Sequence, residues 1–174
     1  MAQKGLVLVY TGEGKGKSTA AFGQALRAVG NGFQVCIIQF IKGAENTGEA
    51  KAFARLEDQV EFHVKGSGFT WQIEDKEEAI RTARDAFQFA REKIESDRYD
   101  MVILDELTYL LVYDMVSETE VLNMIHNRPE RLHLVVTGRG ASEKLIDCAD
   151  LVTEMVSVKH HYEKGIKARK GIEF

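Results

Sequence analysis

Short apolar runs alternate along this chain with longer segments in which apolar residues recur at helical spacing. Two such segments, residues 17–32 and 74–96, predict amphipathic helices, and shorter helices are predicted after Ser117 and near residues 141–148. Strands are predicted at residues 5–10, 34–40, 59–64, 101–106, 132–138 and 150–158. Because strands separated by helices pair in parallel, we expect a three-layer α/β/α fold with a mostly parallel sheet of about six strands.

Local patterns add detail to three of these elements. Phe22 and Leu26 lie on one apolar stripe of the first predicted helix. Ser117 is followed three residues later by Glu120, which is the pattern of a capping box at the start of a helix. Residues 150–158 are expected to form the last long strand of the sheet.

Length and composition restrict the class of protein. The chain has 174 residues, of which 44% are apolar and 29% charged, as in a soluble globular protein, and we expect one domain over residues 1–174. Its formal net charge of -4 gives no positive field that would attract nucleic acid or an anionic membrane. The chain has no apolar run of membrane-spanning length and no signal peptide before its first strand, so we expect a cytoplasmic enzyme.

Residues that bind metals through sulfur or imidazole are few and dispersed. Cys36 and Cys148 lie far apart in apolar contexts, and we interpret them as buried, reduced thiols. His160 and His161 have no second pair of ligands nearby in the sequence, so we interpret them as a polar part of the C-terminal tail.

The clearest candidate for chemistry is TGEGKGKST, between the first predicted strand and the first predicted helix. Its end matches the phosphate-binding pattern G-x-x-x-x-G-K-[ST], although threonine occupies the first glycine position and glycine comes one place late. Glycines let backbone N–H groups surround phosphate oxygens, the lysine supplies a positive charge, and the serine hydroxyl can bind Mg²⁺. The alternative is a glycine-rich surface turn that contains lysine. The candidate nucleotide-binding residues are Thr11, Gly12, Glu13, Gly14, Lys15, Gly16, Lys17, Ser18 and Thr19.

A second part of the site is predicted where the apolar run MVIL is followed by Asp105 and Glu106. Open parallel sheets bind their ligands at the carboxyl ends of the strands. In phosphate-loop proteins an acidic residue at this position completes the coordination of Mg²⁺. The alternative is that Asp105 caps a following helix, and both interpretations can hold for different carboxylates.

Two aromatic residues, Phe69 and Trp71, lie in a glycine-rich connection that is poorly suited to a core. They form a surface for a flat or apolar ligand, or they pack as a hydrophobic staple against the helix that follows. The residues alone leave both alternatives open.

Several stretches, in order from about residue 5 to the C-terminus, together resemble one family. They are the offset phosphate loop, QFIKGAENTGE, GFTW, VILDELTYLLVYD, VVTGRG and VKHHYEKGIKARKGIEF. The chain is similar in these stretches to the phosphate-loop class of ATP:corrinoid adenosyltransferases. The resemblance implies that a cobalt(I) corrinoid attacks the 5′ carbon of ATP, that triphosphate leaves, and that ATP binds in the reverse direction along the loop.

The resemblance also implies roles for single residues. Lys17 and Glu106 are expected to be catalytic, and Ser18 and Glu106 to bind Mg²⁺. Phe69 and Trp71 are expected to be catalytic by packing under the corrin ring and displacing its lower axial ligand, which makes cobalt(II) easier to reduce.

Substrates and partners follow from the same resemblance. Arg27 and Arg139 match family arginines and are assigned to ATP contact or to site structure. We expect ATP with Mg²⁺ and a corrinoid, either cobalamin or a biosynthetic precursor, together with a homodimer and an electron-donating flavoprotein. Some members carry an N-terminal extension over a nucleotide site, and this chain is expected to lack that cover.

Three other functions are compatible with a phosphate loop. A recombinase-like or motor ATPase would use Glu106 to activate water, but the net charge argues against a nucleic-acid partner. A nucleoside kinase would need a site for a second hydroxyl substrate, which the sequence does not identify. A regulatory module would bind ATP without turnover.

Overall fold

The computed structural model describes residues 4–41, 47–66 and 76–173. Its strands are β1 (Val7–Thr11), β2 (Val35–Gln39), β3 (Val60–Val64), β4 (Met101–Asp105), β5 (His133–Thr137) and β6 (Leu151–Glu154). Its helices are α1 (Lys17–Gly30), α2 (Gly48–Phe53), α3 (Lys76–Glu95), α4 (Thr108–Val112), α5 (Glu118–His126) and α6 (Glu143–Asp147). Two 3₁₀ turns, Ala54–Leu56 and His161–Lys164, complete the described elements.

The strands form one sheet in the order β3-β2-β4-β5-β1-β6, and every pairing is parallel. β1 lies between β5 and β6, with Leu8 opposite both Val135 and Leu151. The segment after β1 therefore emerges between the carboxyl ends of β5 and β6. The predicted α/β class and the parallel sheet of about six strands are confirmed.

Helices cover both faces of the sheet. On one face, α1 and α2 pack against alternate strand residues such as Ile37 and Ile103, which are fully buried. On the other face, α3 to α6 pack against the intervening residues, such as Ile38 and Leu104. Burial on both faces explains why these strands are continuous apolar runs, and each such side chain contributes about 1.5–3 kcal/mol.

Local predictions for the helices are partly confirmed. The capping box is present, since Ser117 Oγ accepts from the Glu120 N–H and the Glu120 carboxylate accepts from the Ser117 N–H. Leu26, predicted on the apolar stripe of α1, is 53% exposed. This helix instead contacts the sheet through Phe22 and small residues, which allow a close approach. The buried residues of α1 are Ala21, Phe22, Ala25 and Ala28.

The last strand differs from its prediction. β6 has four residues rather than the nine of 150–158, and all four are exposed at the edge of the sheet. Among the described strands it pairs with β1, which ends at Thr11, where the Met155 N–H donates to the Thr11 carbonyl at 2.8 Å. The strand ends because its hydrogen-bonding partner ends.

The two cysteines are free. Cys36 is buried, and burial raises the pKa of its thiol to about 12, whereas Cys148 is only half-buried. The prediction of reduced thiols is confirmed, and that of full burial holds for Cys36. Within the described ranges, no helix is long and apolar enough to cross a membrane.

Removing the helix cap at Ser117 should lower the free energy of unfolding. We expect Ser117→Ala to cost about 1 kcal/mol, because the Glu120 N–H loses its acceptor. Urea unfolding followed by circular dichroism measures the change. Ser157→Ala, at an exposed serine of the tail, is the control and should change stability by less than about 0.5 kcal/mol. Equal losses in both variants would show that the capping box contributes no stability.

Candidate functional site

Residues 12–16 form a loop between β1 and α1 that packs against the chain beyond β6. The Gly14 N–H donates to the Met155 carbonyl at 2.6 Å. Gly12 has φ 93°, and a Cβ at this position would lie 2.5 Å from the same carbonyl. Both the left-handed backbone and the close approach require glycine at position 12. The late glycine of the sequence pattern is therefore a structural requirement of this loop.

The side chain of Lys17 folds back into the loop. Its Nζ donates to the carbonyl oxygens of Gly12 at 2.8 Å and Gly14 at 2.6 Å. Burial lowers the pKa of Lys17, and the nearby Arg139 charge adds to this effect. Lys17 is also the first residue of α1, where the helix dipole favours an anion. A phosphate oxygen would be a stronger partner for this ammonium than two neutral carbonyls.

The two adjacent carboxylates at the end of β4 have different environments. Asp105 is fully buried and accepts hydrogen bonds on both oxygens, from Gln39 Nε2 at 2.8 Å and from Thr137 Oγ1 at 2.7 Å. Helix α4 begins two residues after Glu106, with Leu107 at its N-cap and no side-chain cap. The alternative in which Asp105 caps the helix is therefore wrong, and Asp105 instead joins three strands.

Glu106 adopts an unusual backbone conformation. Its φ is 65°, in the left-handed region that costs a residue other than glycine roughly 1–2 kcal/mol. Its N–H donates to Thr137 Oγ1 at 2.9 Å. In this conformation Glu106 lines the same pocket as Lys17 and Ser18. The sequence of β4 thus directs one carboxylate inward and the next toward the phosphate loop.

The turn after β5 brings Arg139 to the pocket. Gly138 has φ 139°, and a Cβ there would lie 2.0 Å from Thr108 Oγ1. This hydroxyl donates to the Arg139 carbonyl at 2.6 Å and so fixes the turn against α4. The Arg139 guanidinium lies 3.5 Å from the Glu13 carboxylate of the loop, and both side chains are more than half exposed.

These parts surround a pocket of about 180 Å³. Binding sites for whole small molecules usually have roughly 300–1,000 Å³, so this volume suits the phosphate chain of a nucleotide rather than the whole nucleotide. Cations and carboxylates both contribute to its wall. The lining residues are Lys15, Gly16, Lys17, Ser18, Thr19, Glu49, Glu106, Tyr109, Thr137, Gly138, Arg139, Ile172 and Glu173.

Other predicted residues lie elsewhere. Thr11 is buried at the end of β1, where its Oγ1 accepts from the Ala141 N–H at 3.3 Å. Arg27 lies in the last turn of α1, about 15 Å along the helix from Lys17 at 1.5 Å per residue. It lines a groove at the opposite edge of the sheet, so the structure contradicts a contact between Arg27 and a phosphate in this pocket. Phe69 and Trp71 lie outside the described residues.

Sequence reasoning missed the contribution of the C-terminal tail. Glu173 Oε1 lies 3.9 Å from Lys15 Nζ and 3.1 Å from His161 Nε2. The Arg169 N–H donates to its other oxygen at 2.7 Å. The structure brings one carboxylate to His160 and His161 rather than a second pair of ligands, since their nitrogens and a Glu173 oxygen lie within 4.8 Å of one another. The adjacent Lys15 ammonium disfavours a cation there, and we interpret the contact as ion pairing of the tail with the loop.

The other pocket residues that the sequence did not identify differ in whether a sequence pattern could have predicted them. Thr137 is a polar residue at the carboxyl end of a buried strand, which is the same pattern that identified Asp105. Glu49 and Tyr109 lie in two stretches that carry the family resemblance, QFIKGAENTGE and VILDELTYLLVYD, but no local pattern identified these two residues. Glu173 reaches the pocket only because the tail folds back, which local sequence patterns do not predict.

A parallel α/β sheet with a glycine-rich loop between β1 and α1, and an acidic residue after β4, which is separated from β1 by β5, defines a phosphate-loop nucleotide-binding protein. The fold is similar to that of the flagellar accessory protein FlaH from Methanocaldococcus jannaschii, with a TM-score of 0.51 at 15% identity over 87% of this chain and 71% of that chain. Residues 3–174 match the family described as ATP:corrinoid adenosyltransferase BtuR/CobO/CobP, and the chain belongs to this family.

Curated relatives agree with this assignment. A corrinoid adenosyltransferase of Pseudomonas aeruginosa is 45% identical over 99% of this chain and 85% of its own length. One from a Sinorhizobium species is 44% identical over 99% of this chain and 81% of its own length. One from Escherichia coli K12 is 42% identical over 99% of this chain and 87% of its own length. The chain is thus a transferase whose substrates are ATP and a corrinoid.

Truncation of Lys17 should remove a positive charge of the phosphate loop and slow adenosyl transfer. We expect Lys17→Ala to lower the transfer rate about a hundredfold or more while the far-ultraviolet circular dichroism stays unchanged. Lys144→Ala is the matched control, because this lysine is exposed on α6 and pairs with Glu118. A folded Lys17→Ala variant with the turnover of the Lys144→Ala control would exclude the role of Lys17.

Proposed function

We propose that this enzyme binds the triphosphate of ATP in the phosphate loop and releases it as one unit when the 5′-deoxyadenosyl group moves to cobalt. The electron pair of cobalt(I) forms the bond to the 5′ carbon, and the bond from that carbon to its oxygen breaks. The electron pair of the broken bond leaves on the triphosphate. The observation that carries this proposal is the Lys17 ammonium inside the loop, bonded to two carbonyls that a phosphate oxygen can replace.

The reaction requires little acid–base chemistry from the protein. Cobalt(I) is itself the nucleophile, so the enzyme has to position the 5′ carbon and stabilise the departing negative charge. Lys15, Lys17 and Arg139 line the pocket and supply three positive charges. Each of these cations has a partner within the protein. A bound triphosphate would replace the Glu173 carboxylate at Lys15 and the Glu13 carboxylate at Arg139.

The pocket also offers oxygen donors that suit Mg²⁺. The Ser18 hydroxyl and the Glu106 carboxylate line the same pocket, and Mg²⁺ prefers such oxygen ligands beside phosphates. Asp105 is a poorer candidate, because both of its oxygens accept hydrogen bonds from Gln39 and Thr137 in a fully buried position. We therefore assign Ser18 and Glu106 as the ligands. Mg²⁺ bound there would neutralise charge on the triphosphate.

Phe69 and Trp71 remain assigned to the corrinoid on the basis of the family resemblance. The last described residues before them, Lys65 and Gly66, continue from β3 at the carboxyl edge of the sheet. This is the edge at which the phosphate pocket lies. A corrinoid bound beside that edge would be close to the nucleotide, as the transfer requires.

We also propose that the enzyme forms a homodimer. Leu151, Val152, Val156 and Val158 are exposed apolar residues on the edge strand β6 and just beyond it. An exposed edge strand with apolar side chains is a surface that a second copy can cover, which supports a homodimer. We also propose a cytoplasmic location, a flavoprotein as electron donor, and cobalamin or a biosynthetic precursor as the corrinoid, from the family resemblance.

Neutralising Glu106 should weaken the response to Mg²⁺. Glu106→Gln keeps the shape of the side chain but removes its negative charge, so we expect lower activity and a Mg²⁺ concentration for half-activity raised about tenfold or more. Initial rates over a range of Mg²⁺ concentrations measure this. Glu57→Gln, an exposed carboxylate beyond α2, is the control. An unchanged Mg²⁺ dependence in Glu106→Gln would contradict the assignment of this ligand.

Truncation of the two aromatic residues should affect the formation of cobalt(I) more than its use. We expect Phe69→Ala/Trp71→Ala to lose activity with a mild reductant that acts on bound cobalt(II), because the lower axial ligand stays in place. Supplying cobalt(I) already formed by a strong chemical reductant should restore much of the rate. Cobalt(II) spectra with ATP should show a four-coordinate species for the unmodified enzyme and mainly five-coordinate cobalt for the variant. Equal four-coordinate fractions would favour the staple interpretation of these residues.

A further inference from the structure

The hydroxyl of Thr137 connects the two carboxylate residues at the end of β4. Thr137 is fully buried at the end of β5. Its Oγ1 donates to Asp105 Oδ1 at 2.7 Å and accepts from the Glu106 N–H at 2.9 Å. The pairing of β4 with β5 extends to Leu104 opposite Val136, so Glu106 lies beyond the end of this ladder. The Thr137 side chain provides the Glu106 N–H with the acceptor that the ladder no longer supplies.

The direction of these hydrogen bonds is fixed by the chemistry of the groups. A carboxylate accepts and a backbone N–H donates, so the hydroxyl proton of Thr137 points to Asp105 and a lone pair faces Glu106. Gln39 Nε2 donates to the second oxygen of Asp105 at 2.8 Å and prevents this carboxylate from rotating away. Groups on β2, β4 and β5 thus form one hydrogen-bonded chain, which runs from the Glu106 N–H through Thr137 to Asp105 and meets the bond from Gln39 there.

The backbone of Glu106 needs this support. Its φ of 65° lies in a region that residues other than glycine occupy only where the surrounding structure fixes them. A return to an extended conformation would turn the side chain away from the wall that it shares with Lys17 and Ser18. The position of the Glu106 carboxylate therefore depends on the hydrogen bond that the Glu106 N–H donates to Thr137 Oγ1.

We infer that Thr137 is a positioning residue for adenosyl transfer, whose hydroxyl fixes the left-handed backbone of Glu106 so that the Glu106 carboxylate faces the metal and triphosphate. This inference rests on the proposed role of Glu106 in binding Mg²⁺. A purely structural role for Thr137 would stabilise the sheet without affecting metal binding. The two roles differ in a measurable way.

Mn²⁺ is a spectroscopic substitute for Mg²⁺, and its binding to the ATP-saturated protein can be followed by electron paramagnetic resonance without a corrinoid. Thr137→Val keeps the side-chain shape and removes both hydrogen bonds, so we expect Mn²⁺ binding to weaken about tenfold. Thr137→Ser keeps the hydroxyl and should bind Mn²⁺ within about twofold of the unmodified protein. Should Thr137→Val fail to fold, Thr137→Cys, with its weak donor and acceptor, is expected to change binding in the same direction.

Val135→Ala provides the control for a loss of stability. Val135 is fully buried on β5, two residues before Thr137, in the core that packs against α1, and it takes no part in the hydrogen-bonded chain. Its truncation should lower the free energy of unfolding and leave Mn²⁺ affinity unchanged. Equal weakening in Val135→Ala and Thr137→Val would overturn the inference, since Mn²⁺ binding would then follow stability alone.

A double-mutant cycle with Glu106→Gln identifies the route of the effect. If Thr137 acts through the Glu106 carboxylate, Thr137→Val should cause little further loss of Mn²⁺ binding in the Glu106→Gln background. Additive losses, or Mn²⁺ affinity in Thr137→Val equal to that of the unmodified protein, would overturn the inference while the metal role of Glu106 stands. Unchanged Mn²⁺ binding in Glu106→Gln would overturn both the metal role and the inference.

Discussion

The site depends on the parallel pairing of β1 with β5 and of β5 with β4. Parallel strands end at the same edge of a sheet, so this pairing brings together the loop after β1, the turn after β5 and the carboxylates after β4. The strands keep their register because alternate residues are buried on both faces, and a shift by one residue would exchange the two apolar cores. The hydrophobic core thereby fixes the positions of the polar groups at the carboxyl ends of these strands.

Charge is distributed in the pocket so that binding of an anion replaces existing contacts. Lys17 contacts two loop carbonyls, Lys15 lies near Glu173, and Arg139 lies near Glu13. The latter two contacts are partly exposed ion pairs, which contribute little stability and are easily exchanged. Asp105, by contrast, is fully buried with both oxygens bonded, so it behaves as a fixed part of the framework. Exchangeable cations on a rigid framework suit the binding and release of a triphosphate.

The sequence predicts those parts of the fold and site that depend on local patterns. Apolar runs and helical spacing identified the strands and the α/β class, and GKGKST between a strand and a helix identified the phosphate loop. The extent of β6 was not predictable, because it is set by where β1 ends. The exposure of Leu26 and the distance of Arg27 from the pocket follow from the orientation of α1 on the sheet. Glu173 reaches the loop through a fold of the tail that its own sequence does not indicate.

Release of intact triphosphate distinguishes adenosyl transfer from every hydrolytic or kinase reaction of a phosphate loop. Phosphorus-31 nuclear magnetic resonance of a reaction with ATP, Mg²⁺ and a chemically reduced corrinoid measures it directly. We expect inorganic triphosphate in an amount equal to the adenosylated corrinoid, with none formed when the corrinoid is omitted. Accumulation of ADP and phosphate, or turnover of ATP that does not depend on the corrinoid, would contradict this expectation.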